Sequence, residues 1–417
     1  MSMKRRTVLK GLLATGASVA AVKAPYVQAQ PAPIRIGFLL VKTGPLASGG
    51  LQMEQGFLTY LKDRNNTIAG RRVELTVSDT TGNPAVCRTK MQELVERFNV
   101  HVVLGPLAAF EALAIDDLIR QYRMPTLALA GAEDLTQRKA NPWFTRPGAT
   151  SAQPSHAIAD FTFKDLGARR AATTADDFAF GHENVAGFQR VFEDLGGRVV
   201  QKLWPPLNAP DYGTYLSALK PNLDAFYIGQ AGSNGLKIVR QIAEYGLKGK
   251  FKLVGGFTPI DESLIQQIGE DGMGAYTGNW YSAELEFPEN RKFVELMNRD
   301  YKVDPGVYAA TCYLFGEVLE AAVKAAAGNV EDKETFQKAI RGVKLTNSIR
   351  GPCHFDEFGN VVGNIYIRQV QKRGNKYVNA VIKTYPNVSQ FWTYNKDEFL
   401  KNPVYSRDWP PARYLEK

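Results

Sequence analysis

Cysteine and histidine are both scarce in this chain: its 417 residues include three cysteines and four histidines. Cys87, Cys312 and Cys353 allow at most one bridge and leave one thiol over, which excludes a disulfide-built scaffold. Cys312 shares an apolar helical face with Phe315, Leu319 and Ala322 and reads as a buried small hydrophobe. His101, His156, His182 and His354 fall in unrelated stretches, so no metal site and no cofactor are expected. No apolar run approaches the roughly 20 residues that a membrane-spanning helix needs. Nor is there a basic stripe with interleaved aromatics, so nothing calls for nucleic acid as a partner.

Complete catalytic signatures are missing too, and no catalytic residue is assigned. His182-Glu183 opens a zinc-protease helix pattern, but Ala186 stands where the second histidine would be. There is no Gly-x-Ser-x-Gly elbow and no phosphate loop ending in Gly-Lys-Ser or Gly-Lys-Thr. The glycines of 269–274 have the wrong spacing for a dinucleotide turn.

What is present begins with an export signal. Lys4, Arg5 and Arg6 lead through Val8, Leu9 and Lys10 into an apolar stretch of 12 residues, Gly11 to Val22, with no acidic residue. The Arg5-Arg6 pair resembles the twin-arginine signature, with Val8 where phenylalanine is usual. Val27-Gln28-Ala29 supplies a small-residue cleavage pattern, which places the signal over residues 1–29 and the mature start near Gln30. Its removal takes the 51 basic residues to 46 against 42 acidic ones, leaving a mild net charge of +4.

From Ile34 onward, short apolar runs alternate with amphipathic stretches. Ile34 to Val41 has the continuous apolar character of a parallel strand buried on both faces. Strands are also expected at Val73–Val77, His101–Leu104 and Thr126–Leu129, with helices between them. A second set follows, with strands near Ala171–Thr174, Arg198–Leu203, Ala225–Ile228 and Lys252–Val254 and helices over Ser151–Leu166, His182–Leu195 and Asn234–Tyr245. This order implies an α/β fold of two doubly wound halves. Helices near Phe293–Met297 and Tyr308–Ala327 come next, then a hairpin of Asn364–Val370 and Val378–Lys383.

Ligands of open α/β sheets bind at the strand ends. The loops there are Thr43–Gly50, Gly105 to Phe110 running into a helix near Ala109, and Ala130-Gly131-Ala132. Small residues leave backbone N–H groups uncovered, and a helix N-terminus aims its unpaired donors at an anion. The same small residues would serve equally well if they only made turns.

These motifs, in order, resemble the periplasmic solute-binding proteins of branched-chain amino acid type ABC transporters, the Leu/Ile/Val-binding protein family. The resemblance runs from about Ile34 to Val370 and rests on Thr43-Gly44-Pro45, Asn83-Pro84, Gly105-Pro106, Leu135-Thr136, Phe144-Thr145-Arg146, Phe180-Gly181 and Ile349-Arg350-Gly351-Pro352 with Phe355-Asp356 and Gly359. It implies a type I periplasmic binding fold, two lobes joined by three hinge strands, with crossovers near residues 150, 280 and 362. One lobe would combine 31–150 with 281–362, the other 151–280 with 363–417. It also implies a monomeric periplasmic receptor that closes on a small-molecule ligand and is read by a membrane permease.

Within that resemblance, the family's carboxylate-binding hydroxyl positions fall on Ala109 and Gly131, and its ammonium-pairing acid falls on Phe257. Two family aromatic positions become Gly49 and Ala231, which is expected to enlarge the pocket. The expected ligand is therefore an apolar or aromatic carboxylate of benzoate or phenylpropanoid type, its anion held by the N–H groups of Ala109, Phe110, Gly131 and Ala132. Phe180 and Phe257 would clamp its ring; a core role for Phe257 is the alternative. A branched-chain amino acid or amide receptor, a receptor serving a sensor kinase and a secreted enzyme on the same scaffold are the competing readings. The absent catalytic signatures count against the last.

Overall fold

A computed structural model describes residues 32–416; the export signal expected over 1–29 lies outside the described residues. The first set of elements is β1 Ile34–Leu40, α1 Ala47–Asp63, β2 Thr67–Ile68, β3 Arg71–Asp79, α2 Pro84–Glu96, β4 Val102–Leu104, α3 Ala109–Tyr122, β5 Thr126–Leu127 and β6 Phe144–Thr145. The second is α4 Gln153–Lys164, β7 Arg170–Ala175, α5 Ala179–Asp194, β8 Arg198–Leu203, α6 Gly213–Ser217, β9 Ala225–Gly229, α7 Ser233–Glu244, β10 Lys252–Gly255, α8 Glu262–Ile268 and β11 Tyr276–Asn279. Three helices follow, α9 Pro288–Tyr301, α10 Val307–Ala325 and α11 Lys333–Arg341. The chain closes with β12 Lys344–Leu345, β13 Cys353–Phe355, β14 Val361–Arg373, β15 Lys376–Val388 and α12 Lys396–Lys401.

Two sheets result. The first has the order β2-β3-β1-β4-β5-β6, parallel apart from the β2–β3 pair. The second runs β12-β13-β14-β11-β10-β9-β7-β8, with β15 also on β14. Without the short β2, the first sheet's parallel strands lie in sequence order 2-1-3-4-5. So do β8-β7-β9-β10-β11 in the second. Each sheet therefore has a switch point beside its first strand, where the connecting helices leave toward opposite faces and a crevice opens at the strand C-termini.

Apolar strand faces demand helical cover. Helix α1 pairs with α10 and α2 with α3 around the first sheet, while α4 with α5 and α7 with α8 surround the second. Helix α2 starts where it does because the Asn83 side chain accepts from the Ala85 and Val86 N–H groups, at 2.9 and 3.3 Å, with Pro84 fixing the first turn. Helix α5 begins at Ala179, three residues before the expected start at His182, which puts Phe180 in its first turn.

The chain passes between the sheets three times, after β6, after β11 and after α11. These segments touch. Arg146 N–H donates to the Gly359 carbonyl at 2.8 Å, and Val361 N–H to that of Arg146 at 3.1 Å. Buried Arg350 donates to the carbonyls of Pro147 and Gly148 at 2.8 and 2.6 Å, and its guanidinium lies 4.8 Å over the Trp280 ring. Strands β12 and β13, which an expected boundary at 362 leaves with the first half, are hydrogen-bonded into the second sheet. Cys87, Cys312 and Cys353 are buried and unpaired. Among the described residues, no helix is long and apolar enough to cross a membrane.

Candidate functional site

Both switch points open onto one cavity. Its first wall carries Leu46 from the end of the β1 loop, Leu107, Ala108 and Ala109 from the β4 loop, Leu129 and Gly131 from the β5 loop, and Tyr308 from the start of α10. The facing wall carries Phe178 and Phe180 after β7, Ala231 after β9, and Phe257 and Thr258 after β10. The space between the walls is about 20 Å³, enough for one water molecule. The walls must part before they admit a ring.

The polar content of this cavity is small. Thr258 donates its hydroxyl to the Gln230 carbonyl at 2.7 Å, and the Tyr308 hydroxyl accepts from Gly232 N–H at 3.3 Å. No carboxylate, ammonium, guanidinium or imidazole lies among the lining residues. Asp176, the carboxylate beneath the Ala231 loop, is fully buried and occupied: it accepts from Ala231 N–H at 2.8 Å and from the Asn234 side chain at 2.9 Å. Burial pushes its pKa up to about 7, against the pull of those two hydrogen bonds.

Backbone donors are the remaining polar resource. Ala108 is extended, with φ −86° and ψ 143°. The chain behind Ala109 and Phe110 therefore offers no helical carbonyl to their N–H groups, and the N-terminus of the 14-residue α3 carries the positive end of its dipole. Beside it, Arg146 fixes the 130–132 loop from within. Its buried guanidinium donates to the Ala130 carbonyl at 2.8 Å, to Asn360 Oδ1 at 2.9 Å and to the Ala132 carbonyl. Gly131 is pressed against the next segment. Ser151 N–H donates to its carbonyl at 3.1 Å, and a Cβ at residue 131 would overlap the Ser151 hydroxyl.

Five of the eight sequence-assigned residues, Ala109, Gly131, Phe180, Ala231 and Phe257, come together on this cavity. Three lie off its lining. Phe110 turns its ring edge-on to Phe178, with centroids 5.5 Å apart. Ala132 is buried one residue beyond Gly131, its carbonyl on Arg146. Gly49 lies a layer back, and the room left by its missing side chain is filled by Leu107 and Tyr308. Sequence reasoning missed Phe178 and Tyr308. Phe178 completes a chain of rings across the cleft, 5.8 Å from Phe180 and stacked on it, while Phe180 meets Phe257 at 5.5 Å and 90°. The repeat Phe178-Ala179-Phe180 directly after a strand was the available signal; nothing local marks Tyr308. Among the described residues, no group of histidine, cysteine, aspartate and glutamate is placed to hold a metal ion.

The arrangement can enclose a flat apolar body against rings and offer an anion main-chain donors and the Tyr308 hydroxyl, with no charged side chain. A family model described as periplasmic binding protein matches residues 33–375. The Leu/Ile/Val-binding protein homolog 6 of Brucella melitensis is 26% identical over 362 residues, covering 84% of this chain and 91% of that one. An ABC transporter substrate-binding protein from Sphaerobacter thermophilus superposes with a TM-score of 0.81 at 31% identity, covering 86% of this chain and 99% of the other. A solute binding protein of an ABC transporter from Rhodopseudomonas palustris BisB5, in complex with 3,4-dihydroxybenzoic acid, gives 0.82 at 29%, covering 86% and 98%.

Proposed function

Since the chain belongs to the periplasmic binding protein family, whose members are binding components of ABC transporters and not enzymes, we propose that it is the receptor for a single-ring aromatic carboxylate. The benzoates and phenylpropanoid acids are the class. The observation that carries this reading is the absence of any charged side chain among the residues lining a cavity walled by phenylalanines.

An α-amino acid brings an ammonium group, and burying it here without a carboxylate costs several kcal/mol, of which cation–π attraction returns only part. Asp176 does not supply the missing charge, because its oxygens already hold Ala231 and Asn234 and it lies outside the lining. An aromatic carboxylate asks for less. Its anion takes the N–H groups of Ala109 and Phe110 at the α3 N-terminus and of Gly131 and Ala132 in the loop beside it, and its ring packs against Phe180 and Phe257 on the facing wall. The relative bound to 3,4-dihydroxybenzoic acid supports this choice.

The first sheet with α9, α10 and α11, and the second sheet with the segment after β15, then act as two lobes. A ligand touching both walls favours closure by its differential affinity for the closed shape, and the monomeric closed form is what the permease reads. The test is thermal unfolding of the mature protein with benzoates, cinnamates, leucine, isoleucine and short amides. A ligand at 100 times its Kd adds about 2.7 kcal/mol. A midpoint shift with leucine and none with any aromatic acid rejects the reading in favour of the branched-chain alternative. Export through the twin-arginine route carries its own test: replacing Arg5 and Arg6 together by lysine should leave the precursor in the cytoplasm, and normal export of that variant would remove the assignment.

A further inference from the structure

Helix α10 belongs to the first half of the molecule, where it packs on α1, yet its N-terminus is held from the second half. Val307 is its first residue, so its N–H has no acceptor within the helix. That N–H donates to Asp261 Oδ2 at 2.7 Å. Asp261 is fully buried between β10 and α8, and its other oxygen caps α8, accepting from Ser263 N–H at 3.0 Å and the Ser263 hydroxyl at 2.7 Å. A carboxylate at the N-terminus of a 19-residue helix also meets the positive end of its dipole. Gly306, the residue before the helix, lies flat against this carboxylate, and a Cβ there would overlap it.

The next residue ties the contact to the cavity. Tyr308 lines it and accepts from Gly232 N–H across the cleft, and one loop away Ser233 N–H donates to the Pro45 carbonyl at 3.2 Å. The halves thus meet through protein groups alone at the cavity's edge.

We propose that Asp261 and the Gly306-Val307 start of α10 form a clasp that sets the balance between the open and closed molecule, independently of which ligand is bound. This rests on the two-lobed closing receptor described above. The clasp stabilises the closed form before any ligand contributes, so every ligand draws on the same pre-closed fraction and its apparent affinity scales with that fraction. Asp261 is a positioning residue, outside the cavity lining.

Two substitutions separate the clasp from folding. Gly306→Ala is compatible with an open molecule, because φ −95° and ψ −172° suit any residue, but its methyl blocks closure on Asp261. Asp261→Asn keeps one oxygen, enough to cap α8 or to accept from Val307 but not both. Labelled cysteines at exposed Leu51 and Met273 report the distance between the halves, and titration with 3,4-dihydroxybenzoate, benzoate and leucine reports affinity. The ligand-free wild type should show a short-distance population that both variants lose. Each ligand that binds the wild type should weaken by a common factor of about ten or more, as expected for a buried charge-assisted hydrogen bond, with the rank order of ligands kept and the ligand-free unfolding midpoint of Gly306→Ala unchanged. A ligand-free wild type with only the long distance, variants that close as the wild type does, or a loss confined to one ligand would each overturn the clasp. If no aromatic acid binds the wild type, the ligand assignment fails, while the ligand-free distances still decide the clasp.

Discussion

Phe257 and Gly131 define the two poles of the site, one through the ring it presents and the other through the side chain it lacks. Phe257 is 2% exposed and edge-on to Phe180. Phe257→Ala should weaken aromatic acid binding by about 2 kcal/mol, the value of one buried phenyl, or about thirtyfold in Kd by calorimetry; an unchanged Kd would place the ligand elsewhere. Gly131→Ala acts differently, since its methyl meets Ser151 rather than the cavity. It should shift the 130–132 loop off Arg146 and lower both stability and affinity, whereas a variant with wild-type values would show that the loop does not hold the anion. Most of this site could be read from the chain because small residues at strand ends are local signals. Tyr308 could not, because it reaches the cavity from a helix whose sequence says only that it is apolar. The contribution of Gly49 was misread for a related reason: a missing side chain enlarges a cavity only when no neighbour fills the room, and Leu107 and Tyr308 do.

Elements of five or more residues, such as β1, α3 and β9, were legible, while two-residue strands such as β2 and β6 carry no period to detect. The segment after β15 was equally silent, and it is not a loose tail. Its α12 places Phe399, 1% exposed, against Phe391 at 5.3 Å and Tyr405 at 5.5 Å, with the guanidinium of Arg190 4.7 Å over its ring. Arg138, from the loop before β6, donates to the carbonyls of Phe399 and Pro403 at 3.1 and 3.0 Å. Phe399→Ala should therefore cost about 3 kcal/mol in denaturant unfolding. A loss below about 1 kcal/mol would show the segment to be dispensable.

For the molecule as a whole, buried ionisable groups give stability a definite pH slope. Burial lowers His156 to about 3 and His101 to about 4, with Arg190 and Arg35 adding to the effect, so both are neutral in the folded state above pH 5. Their contribution grows with pH through the unfolded value near 6.5 and then stays level. Carboxyl groups run the other way. Burial raises Asp176 to about 7 and Glu317 to about 8; each binds a proton more tightly folded than unfolded, and the stability this brings is lost as pH rises through those values. Above pH 6.5 only the second effect operates. The unfolding midpoint should fall between pH 6.5 and 8, with a shallower fall for Glu317→Gln, and a midpoint that rises over this interval would refute the assignment. With all three thiols buried and unpaired, reductant should leave the midpoint where it is.

The twofold fold was legible at this scale because alternating βα units recur. The partners of the three crossings were not, since Pro147, Trp280 and Arg350 meet across 203 positions of sequence. Their meeting has an optical consequence. None of the five tryptophans lines the cavity, whereas Trp280, 1% exposed, lies where the segments between the sheets converge, under a guanidinium and against Gly148. With the other four tryptophans replaced by phenylalanine, its ultraviolet emission should therefore respond little to the chemistry of whatever enters the cavity and follow the angle at which the two sheets are held. The chain carries its own gauge of bending, readable without a dye.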